Sequence, residues 1–190
     1  MRRAGLTLLF SALTIDLLEY SRCCARTRIS TLLATALGTV AALGLSRPHM
    51  PFKPVLMAIL ISPMIVPLII TAAGMFFFYS KVGLTHTYLG LILAHTALGT
   101  PFVVITVTAT LTGFDTNLIR ASQSLGADTM RTFFKVIMPL ILPGVISGGL
   151  FAFITSFDEV VIVMFIGSVE QITIPKQMWA GLRQETSPVI

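Results

Sequence analysis

Residues 120–144, "RASQSLGADTMRTFFKVIMPLILPG", differ in character from the sequence on either side. Apolar side chains recur here at i, i+3, i+4 and i+7, which predicts two short amphipathic helices. Their apolar faces would be formed by Leu118, Ala121, Ser122 and Leu125, and by Met130, Phe133, Phe134 and Ile137. Gly126 lies at the joint, where a sharp turn favours glycine, and Asp128 suits the N-cap of the second helix. Pro139 is expected to close that helix.

The rest of the chain is far more apolar than this insert. Of 190 residues, 55% are hydrophobic and 11% are charged, and the mean hydropathy is +0.90. Because a membrane-spanning helix needs roughly 20 apolar residues, this composition predicts an all-α, polytopic membrane bundle. The net charge of +5 fits cytoplasmic loops of such a protein and gives no indication of nucleic-acid binding.

Four apolar runs are predicted to span the membrane. They cover approximately residues 29–45, 55–79, 88–111 and 140–166. Pro63 and Pro67 interrupt the second run, which a spanning helix tolerates when neighbours satisfy the released carbonyl groups. The loops at 46–54 and 112–138 lie on one side and hold five Lys or Arg residues, whereas the loop at 80–87 holds one. The positive-inside rule therefore predicts that residues 112–138 are cytoplasmic and that residues 167–190 face outward.

The two ends of the chain fit this scheme less well. The apolar segment at 4–20 is short and contains Asp16 and Glu19, and the following Arg22, Arg26 and Arg28 fall on the predicted outer side. No small-residue cleavage site follows this segment, so it is not typical of a signal peptide. We expect residues 1–28 not to be the native start, and we expect a further span to be missing after residue 190.

No motif of an enzyme or a metal protein is present in the sequence. Cys23 and Cys24 are adjacent and fit no metal-ligand spacing, and His49, His86 and His95 are scattered. The phosphate-binding pattern G-x4-G-K-[ST] does not occur. We therefore expect neither a catalytic site nor a bound cofactor.

The amphipathic insert needs a partner for its apolar faces. Packing beneath the protein's own spans and lying on anionic lipid headgroups both satisfy the pattern. The insert also resembles the EAA loop of ABC importer permeases, E-A-A-x3-G-x9-I-x-L-P. The matching positions are Arg120, Ala121, Ser122, Gly126, Val136, Met138 and Pro139. Arg120 replaces the usual glutamate, and Ser122 replaces the second alanine.

The resemblance implies a MetI-like permease fold and a coupling role for the insert. In that family the loop docks on a cytoplasmic ATPase dimer, and closure of the dimer switches the permease between inward- and outward-facing states. The residues expected to contact the ATPase are Ala121, Leu125, Gly126 and Met130. ATP hydrolysis would belong to the separate ATPase subunit. The other implied partners are a second permease subunit and an extracytoplasmic solute-binding protein, with membrane lipid around the spans.

The segments "SFDEVVIVMFIG" at 156–167 and "ITIPKQMWAGLRQETSP" at 172–188 resemble spermidine/putrescine permeases. Members of that family have six spans, which implies that this chain holds spans two to five. Asp158 and Glu159 are adjacent carboxylates within an apolar span, where each costs about 2.5–3.5 kcal/mol on insertion scales. One hypothesis is that they line the substrate path with Phe157 and neutralise a polyamine. The other is that they bond to a neighbouring helix or cap a break.

Several alternatives remain open at this point. The substrate of the permease is a polyamine or another small solute such as iron, sulfate or thiosulfate. The chain is alternatively a truncated remnant that does not transport. Trp179 suits either an interfacial anchor or a contact with the solute-binding protein.

Overall fold

The computed structural model describes residues 2–47, 50–113, 115, 117–168, 171 and 173–184, with the backbone alone at 2–20, 22 and 180–184. The longer helices are α1 (Arg2–Leu45), α2 (Lys53–Ile65), α3 (Leu68–Val82), α4 (Tyr88–Thr112) and α7 (Met138–Asp158). The shorter ones are α5 (Asn117–Ser124), α6 (Thr129–Thr132), α8 (Val161–Ile166) and α9 (Ile174–Gln184). A π-helical turn, Phe133–Ile137, joins α6 to α7. The described residues contain no strand, and the predicted all-α class is confirmed.

Among the described residues, three helical segments are long and apolar enough to cross a membrane. They are Cys23–Leu45, Tyr88–Thr112 and Thr129–Asp158. A fourth span exists if α2 and α3 are taken together, although the two helices meet at an angle of 105°. The four predicted runs therefore correspond to helices, but the second and fourth runs are each divided. Residues 169, 170, 172 and 185–190 of the predicted outer loop lie outside the described part of the chain.

The expectation that the second run tolerates both prolines is wrong at Pro67. Pro63 lies inside α2, but Val66 is extended (φ −71°, ψ 134°) and Pro67 begins α3. A proline ring disfavours the helical conformation of the residue before it, which accounts for the extended Val66. Pro63 leaves the Ile59 carbonyl without its helical N–H donor, and the Ser62 hydroxyl donates to that carbonyl at 2.8 Å.

The expectation that Pro139 closes the second helix of the insert is also wrong. The helix runs without interruption from Thr129 to Asp158 through the π-helical turn. In that turn the Met138 N–H donates to the Phe133 carbonyl, five residues earlier. A proline ring crowds the carbonyl four residues before it, and a wider turn just ahead of Pro139 relieves this crowding.

The glycine turn and the N-cap predicted for the insert are confirmed. Gly126 has φ +81°, a left-handed conformation that suits glycine. Asp128 is the N-cap of α6, and its side chain accepts a hydrogen bond from Thr129 N–H at 2.6 Å. The insert is therefore a short helix, α5, joined by a glycine turn to the start of the helix that continues into α7.

Helices α1, α4 and α7 form the main core. Its buried members are Ala34, Ala42, Val103, Val107, Ile141 and Ala152. Small residues allow the backbones to approach closely: a Cβ added at Gly148 would lie 2.8 Å from Val103 Cα and also against the Thr106 hydroxyl. Such contacts between small residues are the usual means of packing helices in lipid, where burial from water provides no driving force between helices.

A second core lies at the other end of α4. Buried residues of α3, α4 and α8 form it: Ala72, Tyr79, Leu91, Ala94, Leu98, Ile162, Val163 and Ile166. His86 N–H, in the loop before α4, donates to the Ile166 carbonyl at 2.9 Å. This bond joins the loop that follows α3 to the last residue of α8. The predicted alternation of spans places these two positions on the same side of the membrane.

Arg26 is part of the packed structure and does not lie in a loop. It sits within α1 with 5% of its surface exposed. Burial lowers the pKa of Lys176 on α9, and the positive charge of Arg26 lowers this pKa further. Helix α9 therefore lies near the first part of the Cys23–Leu45 segment. Because Arg26 is buried within the protein, its charge does not indicate on which side of the membrane the start of the Cys23–Leu45 segment lies.

The packing of α4 against α7 predicts a difference between two glycines. Gly148→Ala should destabilise the chain by about 1–3 kcal/mol, because the new Cβ forces two backbones apart. Gly74→Ala is the matched control, since a Cβ at Gly74 has nothing within 4 Å. Thermal unfolding in detergent measures both variants. Equal melting temperatures for the two would contradict close α4–α7 packing.

Candidate functional site

The predicted fourth span breaks at its two adjacent carboxylates. Asp158 is the last residue of α7, and Glu159 is extended with φ −74° and ψ 112°. The short helix α8 starts two residues later, at Val161. The acidic pair therefore marks the point at which a membrane-spanning helix is interrupted.

Glu159 caps the helix that follows the break. Its side chain is 7% exposed, and Oε1 accepts a hydrogen bond from Ile162 N–H at 3.0 Å. A carboxylate at a helix N-terminus satisfies an unpaired backbone donor and lies at the positive end of the helix dipole. The hypothesis that these acids cap a break thus describes Glu159, whereas the neighbouring Asp158 is exposed.

Two cavities meet at Glu159. The first has a volume of about 320 Å³ and lies between the α2–α3 break, α4 and α7. Its lining includes Pro63, Val66, Pro67, Leu98, Phe102, Thr155 and Glu159. The second, of about 360 Å³, is lined by Leu68, Ile154, Thr155, Asp158, Glu159, Val160 and Val161. The two interrupted helices therefore face each other across a space that contains both carboxylates.

The structure brings together some of the predicted path residues and separates others. Asp158 and Glu159 line the cavities, but Phe157 lies outside both linings. Its ring stacks on Phe153 with centroids 6.0 Å apart. Leu98 and Phe102 of α4 supply the apolar wall instead. Their spacing of four residues places them on one helix face, but it does not indicate which neighbour that face meets.

The predicted coupling surface is exposed at the opposite end of α7. Leu125 is 88% exposed and Met130 is 63% exposed, and Arg120, Ala121 and Pro139 are exposed as well. A Cβ at Gly126 would have nothing within 4 Å. These side chains are thus available to a partner outside the described chain.

Ser122 has a structural contact that its position in the motif does not indicate. Its hydroxyl lies 2.9 Å from the Thr132 hydroxyl, at hydrogen-bond distance, and the contact links α5 to α6. Backbone bonds from Leu125 N–H to the Ala121 carbonyl (3.1 Å) and from Ala127 N–H to the Ser122 carbonyl (3.1 Å) close the turn. The alanine that is usual at this position has no hydroxyl to form the link.

A buried histidine near the acidic break was missed by sequence reasoning. His95 of α4 is 2% exposed, and its Nδ1 lies 3.0 Å from the Ser156 hydroxyl of α7. The two residues are 61 positions apart, and no sequence pattern connects them. The only signal was a histidine within an otherwise apolar span, where polar groups are expensive.

These features define a class of protein. Several spanning helices, two of them interrupted around an acidic cavity, and an exposed helix pair at one end describe a membrane permease. The family model of the "Binding-protein-dependent transport system inner membrane component" matches residues 34–189. The chain belongs to this family, and the resemblance to ABC importer permeases is confirmed.

Curated relatives place the chain within this family. The spermidine/putrescine transport system permease protein PotC of Haemophilus influenzae is 31% identical over 158 residues, or 83% of this chain and 62% of that protein. PotC of Escherichia coli K12 is 29% identical over 161 residues, or 85% and 61%. The putrescine permease protein PotI of Escherichia coli K12 is 29% identical over 137 residues, or 68% and 48%. The chain thus spans about three fifths of the PotC proteins.

A solved structure supports the fold independently. A bacterial ABC transporter involved in the import of the acidic polysaccharide alginate superimposes with a TM-score of 0.69. The match covers 88% of this chain and 58% of that one, at 18% sequence identity. At this level of identity the likeness concerns the fold alone.

The capping bond of Glu159 predicts a difference between the adjacent acids. Glu159→Ala should lower stability by about 1–2 kcal/mol, because the Ile162 N–H loses its acceptor within the membrane-spanning region. Asp158→Ala, at an exposed position, should leave the melting temperature unchanged. Thermal unfolding in detergent measures both. If Glu159→Ala unfolds at the same temperature as the parent, the carboxylate does not hold α8.

Proposed function

We propose that this chain is the membrane-spanning permease subunit of an ATP-driven importer of polyamines. The observation that carries the proposal is the acidic cavity at the two helix breaks, in a chain similar to spermidine and putrescine permeases. The insert would couple transport to a partner ATPase. A second permease subunit and an extracytoplasmic solute-binding protein would complete the importer in the bacterial inner membrane.

The chemistry of the cavities suits a flexible polycation. Asp158 is exposed and available to pair with an ammonium group. Glu159 accepts from the α8 backbone, and its carboxylate lines both cavities. Leu98 and Phe102 offer an apolar wall to the methylene segments between the ammonium groups. Opposite charges close together in a poorly solvated site attract far more strongly than they do in water.

A different small solute is the second candidate. A probable molybdenum ABC transporter permease of Haloferax volcanii is 28% identical over 161 residues. Molybdate and sulfate are anions, and a cavity with two carboxylates would repel them. The charge of the site therefore favours a cationic substrate.

The proposed coupling route uses one continuous helix. The exposed Leu125 and Met130 would meet the ATPase, and Gly126 would fix the angle between α5 and α6. From Thr129 the helix continues over 30 residues to Asp158, a length of roughly 45 Å at 1.5 Å per residue. A displacement of the insert would thus be transmitted to Asp158 and Glu159 through one continuous helix. The positive-inside rule supports a cytoplasmic position for the insert.

Removal of either carboxylate tests the substrate assignment. Asp158→Asn should raise the KM for spermidine or putrescine by roughly tenfold, because a charge-assisted bond is lost. Glu159→Gln should act in the same direction while keeping an oxygen for the Ile162 N–H. Uptake is measured in cells that lack their own polyamine permease and express the partner subunits, with protein level held fixed.

The matched control for this experiment is Asp115→Asn. Asp115 is exposed, lies away from both cavities and accepts a bond from Asn117 N–H, which asparagine also accepts. Unchanged uptake in both cavity variants would remove the carboxylates from the substrate path. Competition by molybdate or sulfate, and none by putrescine, would favour the second candidate.

The coupling assignment makes a separate prediction at Gly126. Gly126→Leu places a branched side chain at φ +81°, which costs about 1–2 kcal/mol and should distort the turn. The variant should reach the membrane at its normal level, yet ATP hydrolysis by the assembled importer should no longer drive uptake. Gly126→Asn is the control, since asparagine tolerates this conformation. Normal uptake by Gly126→Leu would contradict the coupling role.

A further inference from the structure

We propose that His95 is a positioning residue whose hydrogen bond to Ser156 holds the last turn of α7 against α4 and so fixes the place of Glu159 on the two cavities. The substrate role of those cavities rests on the function proposed above. The positioning itself does not depend on which substrate is carried.

The first support is the cost of burying this pair. His95 is 2% exposed and Ser156 is 5% exposed, and the buried Leu91, Ala94 and Leu98 lie on the same helix as the histidine. Within the described residues, His95 Nε2 is buried without a hydrogen-bond partner. A leucine would fill such a position without an unsatisfied nitrogen. The benefit that offsets this cost is the bond from Nδ1 to the Ser156 hydroxyl, which joins two helices.

The second support is the location of the bond between two cavity walls. Ser156 follows Thr155, which lines both cavities, and precedes Glu159 by one helical turn. On α4, Leu98 and Phe102 lie three and seven residues after His95, on the same helix face. The bond therefore fixes Leu98 and Phe102 of α4 relative to Glu159, which lines the same cavity.

The third support is the position of Glu159 itself. α7 ends at Asp158, so the backbone no longer continues the helix at Glu159. The last regular turn of α7 is thus the nearest rigid element from which Glu159 projects. A hydrogen bond at this turn restricts the position of the Glu159 carboxylate directly. A bond farther from the break would restrict it only through the intervening turns of α7.

Thiol labelling at the break tests the proposal. Val160→Cys places a reporter on the lining of the second cavity, in a background in which Cys23 and Cys24 are replaced by alanine. Membranes are treated with a water-soluble maleimide, and the labelling rate is compared between variants. His95→Leu should raise the rate by roughly fivefold, because the last turn of α7 opens more often. His95→Asn should label near the parent rate, since its amide can reach the Ser156 hydroxyl.

Thr108→Val is the matched control. Thr108 also lies on α4 and has a buried hydroxyl without a partner among the described residues, but it is distant from the break. Its replacement should leave the labelling rate unchanged. A rise in this variant would show that any polar loss on α4 loosens α7, which overturns a specific role of His95.

The remaining outcomes each decide the proposal. Equal labelling of His95→Leu and the parent overturns it, and so does an asparagine variant that labels as fast as the leucine variant. If His95→Leu does not reach the membrane, Ser156→Ala replaces it, with the same rise expected and an unchanged rate overturning the proposal. In uptake assays His95→Leu should raise KM and His95→Asn should restore it. If the parent protein takes up no polyamine, the proposed function is wrong. The labelling result still decides the role of His95 in that case.

Discussion

Hydrocarbon offers no hydrogen-bond partner to a peptide group, so every break in a spanning helix must be satisfied by the protein itself. The described part of the chain contains two such breaks, at Val66–Pro67 and at Glu159–Val160. At the first, the backbone N–H of Val66 bonds back into α2, and the carbonyl of Pro67 accepts from Ile70 at 2.9 Å. At the second, the Glu159 side chain accepts from Ile162. Irregular backbone at membrane depth is tolerated where it lines a cavity, and both breaks border the same cavity.

The two cores share α4. One core joins α1, α4 and α7 through small residues near the insert, and the other joins α3 and α8 to the opposite half of α4. Helices α3 and α8 are each separated from the preceding helix by a break, at Val66–Pro67 and at Glu159–Val160. A displacement of α3 and α8 along α4 would therefore be absorbed at these two breaks. The carboxylates lie at the boundary between the cores, where such a displacement would change their surroundings most.

The sequence was sufficient for the helical class, the four apolar runs and the glycine turn of the insert, because hydropathy and turn chemistry are local properties. It was insufficient where the effect of a proline on its helix depended on the conformation of the preceding residues. Pro67 breaks a helix that was expected to continue, and Pro139 continues a helix that was expected to end. The ring chemistry is the same in both cases. What differs is the backbone before each proline. Val66, before Pro67, is extended, whereas Phe133–Ile137, before Pro139, form a π-helical turn.

The acidic pair shows why the site was harder to predict than the fold. Adjacent carboxylates in a span carry the same sequence signal, yet one is buried as a helix cap and its neighbour is exposed at a cavity. This division follows from the break itself: once α7 ends at Asp158, consecutive side chains no longer follow the helical spacing of 100° and can point into different environments. The cavity linings around the two acids include residues of α2, α3 and α4, which are distant in sequence. The Glu159 carboxylate is held by its bond to the backbone, whereas the neighbouring Asp158 is exposed. Under the proposed function a mobile cation would use both properties, because the fixed acid would give the cavity its shape and the exposed acid would supply the attraction.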